Sequence, residues 1–358
     1  MKKRKLKIKR RNIIILVLIL LLVVFYKPVS SVISIKGKGY SLSSSRKIYK
    51  YGIKDIVLNK DYSIILDDII TTDLYNEAYL DDYFKIDYYE KENFLSTITN
   101  LLNVGYKNDS INVILKKDDN VIKVLENRYI DDINNYLSYD YFRIDNLDRY
   151  LNYFNGDYKD TIIRVNIGLD KEYYTDPVVI SEYSKEMVVN KYNKLDENVK
   201  LDLVLLTKCA ENGEYLVREA KEAYDLLCDA SKKDGLSLST TSSYRSYKEQ
   251  ESTYNYYLKN NGEEYAKNYV ARAGFSEHQT GLAVDVKSLN ASPFKSSREY
   301  KWMIDNSYKY GFILRYPQGM EEFTGYSPES WHFRYVGIDI AKYIHDNNIT
   351  YEEYCATH

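Results

Sequence analysis

Residues 276–285, Ser-Glu-His-Gln-Thr-Gly-Leu-Ala-Val-Asp, and residues 329–332, Glu-Ser-Trp-His, decide the fold and the chemistry that we expect of this chain. Two of the four histidines, His278 and His332, lie in these motifs with Asp285 and Glu329. A hydrolytic zinc site needs three protein ligands, an open position for water and a carboxylate that takes the proton of that water. The two motifs contain this set, so a metallohydrolase is the leading interpretation.

The local patterns predict that these side chains meet. Residues 281–286 alternate as a strand whose small residues share a face with Asp285, which leaves room for a metal and a substrate. His278 is expected in the turn before this strand and His332 in a second, aromatic strand. Glu329 is expected in the turn that enters the second strand. From there it would reach the metal-bound water without being a ligand, as a general base requires.

Other interpretations of the same residues are weaker. A single histidine is usually a hydrogen-bonded core or surface residue, but that explanation would have to hold for all four motif residues at once. Two histidines and one carboxylate also hold non-haem iron in oxygen-activating enzymes. The spare carboxylate of Glu329 and an exported location favour zinc hydrolysis over that alternative.

The N-terminus carries the evidence for export. Residues 2–11 contain eight Lys or Arg, and no acidic residue precedes Asp55. An apolar run, residues 13–25, follows directly, which is the order of a secretory signal or an uncleaved signal anchor. We expect an anchor in the cell membrane, with a single span and an extracytoplasmic C-terminal domain, or a secreted chain if the signal is cleaved.

The charge balance argues against nucleic acid as a partner. The formal net charge is −2, so removal of the eight cations of the basic head leaves the remainder at −10. The three cysteines, Cys209, Cys228 and Cys355, fit neither a zinc ribbon nor the histidine motifs. One disulfide between them and buried free thiols are both open interpretations.

Composition divides the chain into four segments. We expect a basic head and signal anchor at 1–35, a flexible linker at 36–50, a mainly α-helical region of unknown role at 51–185, and an α+β zinc peptidase domain at 186–350. The sequence of residues 83–87 is echoed at 141–145, which suggests two diverged copies of a helical unit in the third segment. Its many tyrosines are expected in small helical cores, and a spacer or a weak wall-binding module are the open roles.

The fourth segment is predicted to hold a small antiparallel sheet with flanking helices. The strands are expected at 203–206, 236–242, 282–286 and 331–335, and the helices at 214–232, 247–260, 297–310 and 338–347.

The motifs Ser-x-His-x-x-Gly-x-Ala-x-Asp and Glu-x-Trp-His-Phe-Arg-Tyr-Val-Gly resemble those of the VanY-type zinc D-alanyl-D-alanine carboxypeptidases. The flanks agree, at Ser243-Tyr244-Arg245-Ser246 with Gln250 downstream, at Ala271-Arg272, at Arg315-Tyr316-Pro317 and at residues 190–195. The resemblance covers about residues 186–350. Ala273 and Ser330 stand where proline is common in the family, and Ser243 stands where glycine is frequent.

The resemblance implies a role for each matching residue. It makes His278, Asp285 and His332 the ligands of one Zn²⁺, and Glu329 the catalytic carboxylate. It places Arg245 at the carbonyl oxygen of the scissile peptide and Ser276 at the terminal carboxylate of the substrate, with Gln250 beside them as a substrate-binding residue. Charge-assisted donors suit both of these oxygens.

The resemblance implies removal of the terminal D-alanine from peptidoglycan stem peptides. An L,D-carboxypeptidase that acts on tetrapeptide stems would use the same machinery, and the sequence does not separate the two. A wall endopeptidase is disfavoured by Ser276 and Arg245. A non-catalytic wall-binding module would not need all four motif residues.

Overall fold

The computed structural model describes residues 10–210 and 213–358, so residues 1–9 of the basic head lie outside it. The chain divides into two compact units, Met1–Tyr139 and Asp140–His358. Each unit has its own secondary structure, and the two predicted metal-site motifs both belong to the second.

The first unit is helical. Its α-helices are α1 (Arg10–Gly37), α2 (Leu42–Lys50), α3 (Lys54–Leu58), α4 (Ile64–Ile69), α5 (Phe94–Val104), α6 (Asn108–Ile114), α7 (Asp119–Leu125) and α8 (Ile133–Leu137). Within the described part of the chain, Ile13–Gly37 of α1 is the one stretch of helix long and apolar enough to cross a membrane. A signal sequence would have the same length and composition.

We expected residues 36–50 to form a flexible linker, but residues 42–50 form helix α2. The hydroxyl of Ser41 accepts a hydrogen bond from the backbone N–H of Ser44 and so caps the N-terminus of α2. Ser45 and Ile48 are buried on one face of the helix. The serine cluster that suggested a linker is therefore a helix cap and a packed helix face.

The second unit mixes helices with short strands. Its helices are α9 (Leu147–Tyr153), α10 (Tyr158–Ile167), α11 (Arg218–Lys233), α12 (Tyr247–Asn261), α13 (Glu263–Tyr269), α14 (Arg298–Asn306), α15 (Glu321–Thr324), α16 (Ile338–Asn347) and α17 (Tyr351–Thr357). Its strands are β1 (Val178–Ile180), β2 (Asn193–Leu195), β3 (Leu203–Leu205), β4 (Tyr215–Val217), β5 (Leu238–Ser242), β6 (Ala283–Ser288), β7 (Phe312–Tyr316) and β8 (Glu329–Tyr335).

The site is carried by an antiparallel sheet with the strand order β5-β6-β8-β7. One face of this sheet packs against α11, where Tyr224 and Leu227 meet Val284, Phe312 and Phe333 in a buried core. The opposite face carries the polar motif residues. The α+β class, with a small antiparallel sheet, flanking helices and a helical region before it, is confirmed.

The second unit starts at Asp140, well before the domain boundary that we expected at residue 186. Side-chain contacts account for this difference. Asn166 of α10 donates a hydrogen bond to the carbonyl of Ala356 in α17, and Arg143 donates one to the carbonyl of Cys355. The guanidinium of Arg164 is also paired with Glu322. Residues 140–185 therefore contain side chains that bond helices α15 and α17 of the second unit.

Candidate metal centre

Strand register brings Asp285 and His332 together. The two residues are direct partners in the antiparallel pairing of β6 with β8, so their side chains leave the same face of the sheet. Val284 and Phe333, each one residue away, point to the opposite face and are fully buried in the core. The two strands therefore separate an apolar face that packs from a polar face that holds the ligands.

A tight turn before β6 positions His278. Residues 277–280 form a 3₁₀ turn that ends at Gly281, and Gly281 has φ +67°. A Cβ at this position would lie 2.9 Å from Cδ2 of Leu203 and 3.0 Å from Cγ1 of Val217. Glycine is therefore required both for the left-handed conformation and for the close approach. Gly281 lies outside the strand, which starts at Ala283.

His278, Asp285 and His332 converge on one point, with one ligand atom from each lying within 4.8 Å of the others. Nδ1 of His278 lies 2.6 Å from the carbonyl oxygen of Ser243, so it carries the proton and donates to that oxygen. Nε2 of the same ring then has a free lone pair, 3.3 Å from Oδ2 of Asp285. Nδ1 of His332 lies 3.0 Å from Oδ1 of Asp285.

The donor set fits a zinc ion. Two imidazoles and one carboxylate are the ligands that catalytic zinc uses, with a further position left open. Oδ1 of Asp285 is buried and accepts no hydrogen bond, although Nδ1 of His332 is close by. A cation bound here would supply the missing partner of this carboxylate oxygen and would also be coordinated by the two imidazoles.

The charges of the buried cluster also favour a cation. Burial opposes ionisation of Asp285, but the two histidines outweigh it and hold the pKa of that carboxyl well below its usual range. Burial likewise lowers the pKa of His332, and the carboxylates of Asp285 and Glu277 outweigh it and raise that pKa to about 10. Without a cation these carboxylates therefore hold a proton on both nitrogens of His332, and a metal ion would take the place of the proton on Nδ1.

A network of buried ion pairs contacts His332 on the Nε2 side of its ring. Oε2 of Glu277 lies 3.4 Å from Nε2 of His332, while Oε1 accepts hydrogen bonds from Nε of Arg315 at 2.7 Å and Nη1 of Arg334 at 3.0 Å. Arg315 also forms a bidentate pair with Glu352 of α17, at 2.8 and 2.5 Å. All four charged side chains of this network are almost completely buried.

This network was not among the residues that we predicted for the site. Its signal in the sequence is a pair of arginines inside apolar strands, Arg315 in β7 and Arg334 in β8. A buried carboxylate that binds the second nitrogen of a metal-ligating histidine fixes the ring and its tautomer. Glu277 therefore leaves the Nδ1 lone pair of His332 facing the metal position.

Glu329 is the first residue of β8 and lines the same cavity as the three ligands. Its Oε2 lies 3.7 Å from Nδ1 of His332. Burial raises the pKa of its carboxyl to about 7, with His332 opposing the shift and Asp285 adding to it. A carboxyl poised near neutral pH beside the ligands can both accept and return a proton.

Arg245, Gln250 and Ser276 line this cavity too. Nη1 of Arg245 donates to Oε1 of Gln250 at 2.8 Å, and Nη2 donates to Oγ of Ser242 at 2.9 Å. The amide nitrogen of Gln250 donates to the carbonyl of Ala271 at 2.6 Å. Both ends of the Gln250 amide are therefore occupied, and the residue holds Arg245 in place.

Ser243 stands where glycine is frequent in the family that the motifs resemble. Its hydroxyl makes two hydrogen bonds. Oγ of Ser243 accepts a hydrogen bond from the backbone N–H of Tyr215 at 2.9 Å and bonds the carboxylate of Glu214. The backbone carbonyl of Ser243 remains free to orient His278. This departure therefore leaves the ligand geometry intact.

The cavity has a volume of about 430 Å³. Its walls contain aromatic residues that sequence reasoning did not assign to the site, namely Tyr257, Tyr265, Tyr269, Tyr316, Tyr326 and Trp331. The ring of Tyr316 lies 5.0 Å from that of His332, which encloses the metal position on that side.

The peptidase part of the chain is similar to known proteins. Residues 213–338 match the family model of VanY, D-alanyl-D-alanine carboxypeptidase. The putative carboxypeptidase YodJ of Bacillus subtilis (strain 168) is 47% identical over 146 residues, and the match covers 39% of this chain and 53% of YodJ. The chain thus spans about half the length of that relative.

A second relative is covered almost completely. The bifunctional D-Ala-D-Ala dipeptidase and D-Ala-D-Ala carboxypeptidase VanXYC of Enterococcus gallinarum is 36% identical over 176 residues, which are 47% of this chain and 91% of VanXYC. Among solved structures, a VanY D,D-pentapeptidase mutant in complex with Zn(II) is 34% identical, with a TM-score of 0.43 over 48% of this chain and 98% of that chain.

Proposed function

This chain belongs to the VanY family, and from that membership we propose that it is a zinc-dependent D,D-carboxypeptidase that removes the terminal D-alanine from peptidoglycan stem peptides. The observation that carries the proposal is the convergence of His278, Asp285 and His332 beside the carboxyl of Glu329. An N-terminal helix able to cross a membrane supports a location at the cell membrane, with the peptidase unit on the side of the wall.

His278, Asp285 and His332 would hold the zinc ion. When bound, zinc polarises a carbonyl as a Lewis acid and lowers the pKa of a water to roughly 7. Asp285 supplies the negative charge of the ligand set, and the hydrogen bonds made by Ser243 and Glu277 keep both imidazoles in the tautomers that present a lone pair.

Glu329 is the proposed base. Its carboxyl accepts a proton from the attacking water and then donates it to the amine of the departing D-alanine. The burial of this carboxyl supports the first step, because burial disfavours the charged form and makes the carboxylate a better proton acceptor.

Arg245 is proposed to donate hydrogen bonds to the carbonyl oxygen on which negative charge develops. The contacts with Gln250 and Ser242 hold its guanidinium before substrate arrives, so little reorganisation is needed. Ser276, which is buried and lines the cavity, is proposed to bind the free carboxylate of the terminal residue.

The test uses the full chain in detergent and two substrates, a stem pentapeptide and a stem tetrapeptide. Free D-alanine is quantified with and without a chelator. Chelator-sensitive release from the pentapeptide is the expected result. Release from the tetrapeptide alone would move the function to an L,D-carboxypeptidase. No release from either substrate by zinc-loaded chain would overturn the exopeptidase proposal.

A further inference from the structure

Four tyrosines on α12 and α13 form a continuous ladder of ring contacts that includes part of the lining of the catalytic cavity. The ring centroids of Tyr269 and Tyr265 are 4.8 Å apart, those of Tyr265 and Tyr257 are 5.8 Å apart, and those of Tyr257 and Tyr256 are 5.4 Å apart. Tyr269, Tyr265 and Tyr257 line the cavity that contains the metal ligands, and Tyr256 is the ring of the ladder outside that lining.

Three of the four tyrosines are exposed to solvent, and Tyr257 is partly exposed. Tyr269 is 46% exposed, Tyr265 37% and Tyr256 61%. Gln250 is the one buried residue of α12, and Ala266 the one buried residue of α13. The tyrosines are therefore not the core of this helical hairpin. A contiguous exposed aromatic surface beside a cavity is typical of a ligand-binding groove.

We propose that this tyrosine ladder binds the amino-sugar glycan to which the stem peptide is attached. The proposal rests on the proposed function, because it places the saccharide part of the substrate relative to the scissile bond. The flat C–H face of a pyranose carries partial positive charge, and the face of an aromatic ring carries partial negative charge. The phenol hydroxyls at the ring edges can hydrogen-bond the sugar hydroxyls and acetamido groups.

The length of the stem peptide sets how far from the metal position the sugar can lie. An extended peptide spans at most about 3.5 Å per residue, so the four residues between the scissile bond and the sugar reach about 14 Å from the metal position. Three of the rings line the cavity, and successive ring contacts of 4.8–5.8 Å extend the ladder to Tyr256, outside that lining. An aromatic surface that continues from the cavity to a residue outside its lining suits a sugar at the far end of the stem peptide.

The surroundings of the ladder disfavour other ligands. Residues 247–269 carry three lysines and four glutamates, so they present no strong positive charge for a polyanion or an anionic membrane. The backbone groups of both helices bond within the helices, and an extended peptide would gain no main-chain hydrogen bonds from them. A neutral ligand with stackable faces is the class that remains.

The test compares two substrates of the full chain in detergent, a free stem pentapeptide and the same pentapeptide on an N-acetylglucosaminyl-N-acetylmuramyl unit. The quantity of interest is the ratio of kcat/KM for the second substrate to that for the first. Tyr256→Ala and Tyr265→Ala are each expected to lower this ratio roughly threefold to tenfold, which is the value of one aromatic contact. Tyr265→Phe, which keeps the aromatic ring, is expected to keep the wild-type ratio.

Tyr343→Ala is the matched control, because Tyr343 is 42% exposed and lies on α16 outside the cavity. The proposal is overturned if the wild-type chain does not prefer the saccharide-bearing substrate, or if the ladder variants change the ratio no more than Tyr343→Ala does. Equal losses on both substrates would assign the ladder to the peptide and would also overturn it.

A binding measurement separates this proposal from the proposed function. A peptide-free tetrasaccharide of alternating N-acetylglucosamine and N-acetylmuramic acid is titrated into the full chain and into Tyr256→Ala. Binding that is weakened by the substitution would support the ladder even if no D-alanine were released from any substrate. Absence of binding, with normal release of D-alanine, would overturn the glycan assignment and leave the catalytic proposal intact.

Discussion

Nε2 of His332 lies 3.4 Å from Oε2 of the buried Glu277, while Nδ1 of the same ring faces Asp285. The ring is thus held between a carboxylate that fixes its tautomer and the metal position that uses its lone pair. Because Glu277 is itself bound by Arg315 and Arg334, the orientation of one metal ligand depends on a network that reaches the C-terminal helix α17.

Glu277→Gln is expected to weaken zinc binding about 10- to 100-fold, because an amide no longer polarises and orients His332. Zinc affinity is measured by competition with a chromogenic chelator, independently of activity. Glu299→Gln is the matched control, since Glu299 is also buried but bonds Asn290 and the backbone of Ser237. Equal zinc affinities for the wild-type chain and Glu277→Gln would remove the positioning role.

Glu352→Gln is expected to reduce the free energy of unfolding of the second unit by about 3–5 kcal/mol, because it leaves the buried Arg315 incompletely paired. Urea unfolding followed by tryptophan fluorescence reports on this unit, since both tryptophans, Trp302 and Trp331, lie in it. Asp202→Asn, which breaks the exposed ion pair with Arg218, should leave the free energy of unfolding almost unchanged. Similar effects for both substitutions would contradict a structural role for the buried network.

Gly281→Ala tests the turn that delivers His278. Alanine at φ +67° costs about 1–2 kcal/mol, and overpacking against Leu203 and Val217 adds about 1–3 kcal/mol. Gly235→Ala meets the same backbone cost at φ +74° with no atom in contact range. In urea unfolding followed by tryptophan fluorescence, we expect the midpoint of Gly281→Ala to lie at a clearly lower urea concentration than that of Gly235→Ala. Zinc affinity is expected to drop only in Gly281→Ala. Equal unfolding midpoints for the two variants would show that the close contact of Gly281 with Leu203 and Val217 does not matter for stability.

Arg245→Lys should lower kcat for D-alanine release on the order of 100-fold, because a point charge replaces the planar donors aimed at the carbonyl oxygen. Zinc content is expected to stay the same, since Arg245 is not a ligand. Arg218→Lys, in an exposed ion pair, serves as the control for the loss of a guanidinium. A normal kcat in Arg245→Lys would assign this arginine to a structural role.

Local motifs were sufficient to predict the fold class and the meeting of three side chains that could hold a metal ion. His278, Asp285 and His332 were identified because small residues, a strand pattern and polar side chains coincide in short stretches. The helix expected at 247–260 agrees closely with α12, which begins at a capping box formed by Ser246 and Glu249. The helix expected at 338–347 agrees with α16, whose buried residues Ala341 and Ile344 have helical spacing.

Long-range interactions explain what the sequence did not indicate. Strand β7 was not expected, because Arg315 interrupts its apolar pattern, and only the pairing with Glu277 and Glu352 makes that arginine a buried residue. The start of the second unit at Asp140 depends on contacts of α10 with α17, nearly two hundred residues away along the chain. Neither relationship leaves a periodic pattern in the sequence.

The most direct test of the central proposal compares the wild-type chain with Glu329→Gln for both zinc content and D-alanine release from a stem pentapeptide. Glu321→Gln, on α15, is the control for the loss of an exposed carboxylate. We expect Glu329→Gln to bind one zinc per chain and to release D-alanine 10²- to 10⁴-fold more slowly, because the proton acceptor is lost and the ligands are kept. Release at the wild-type rate from zinc-loaded Glu329→Gln would contradict the account.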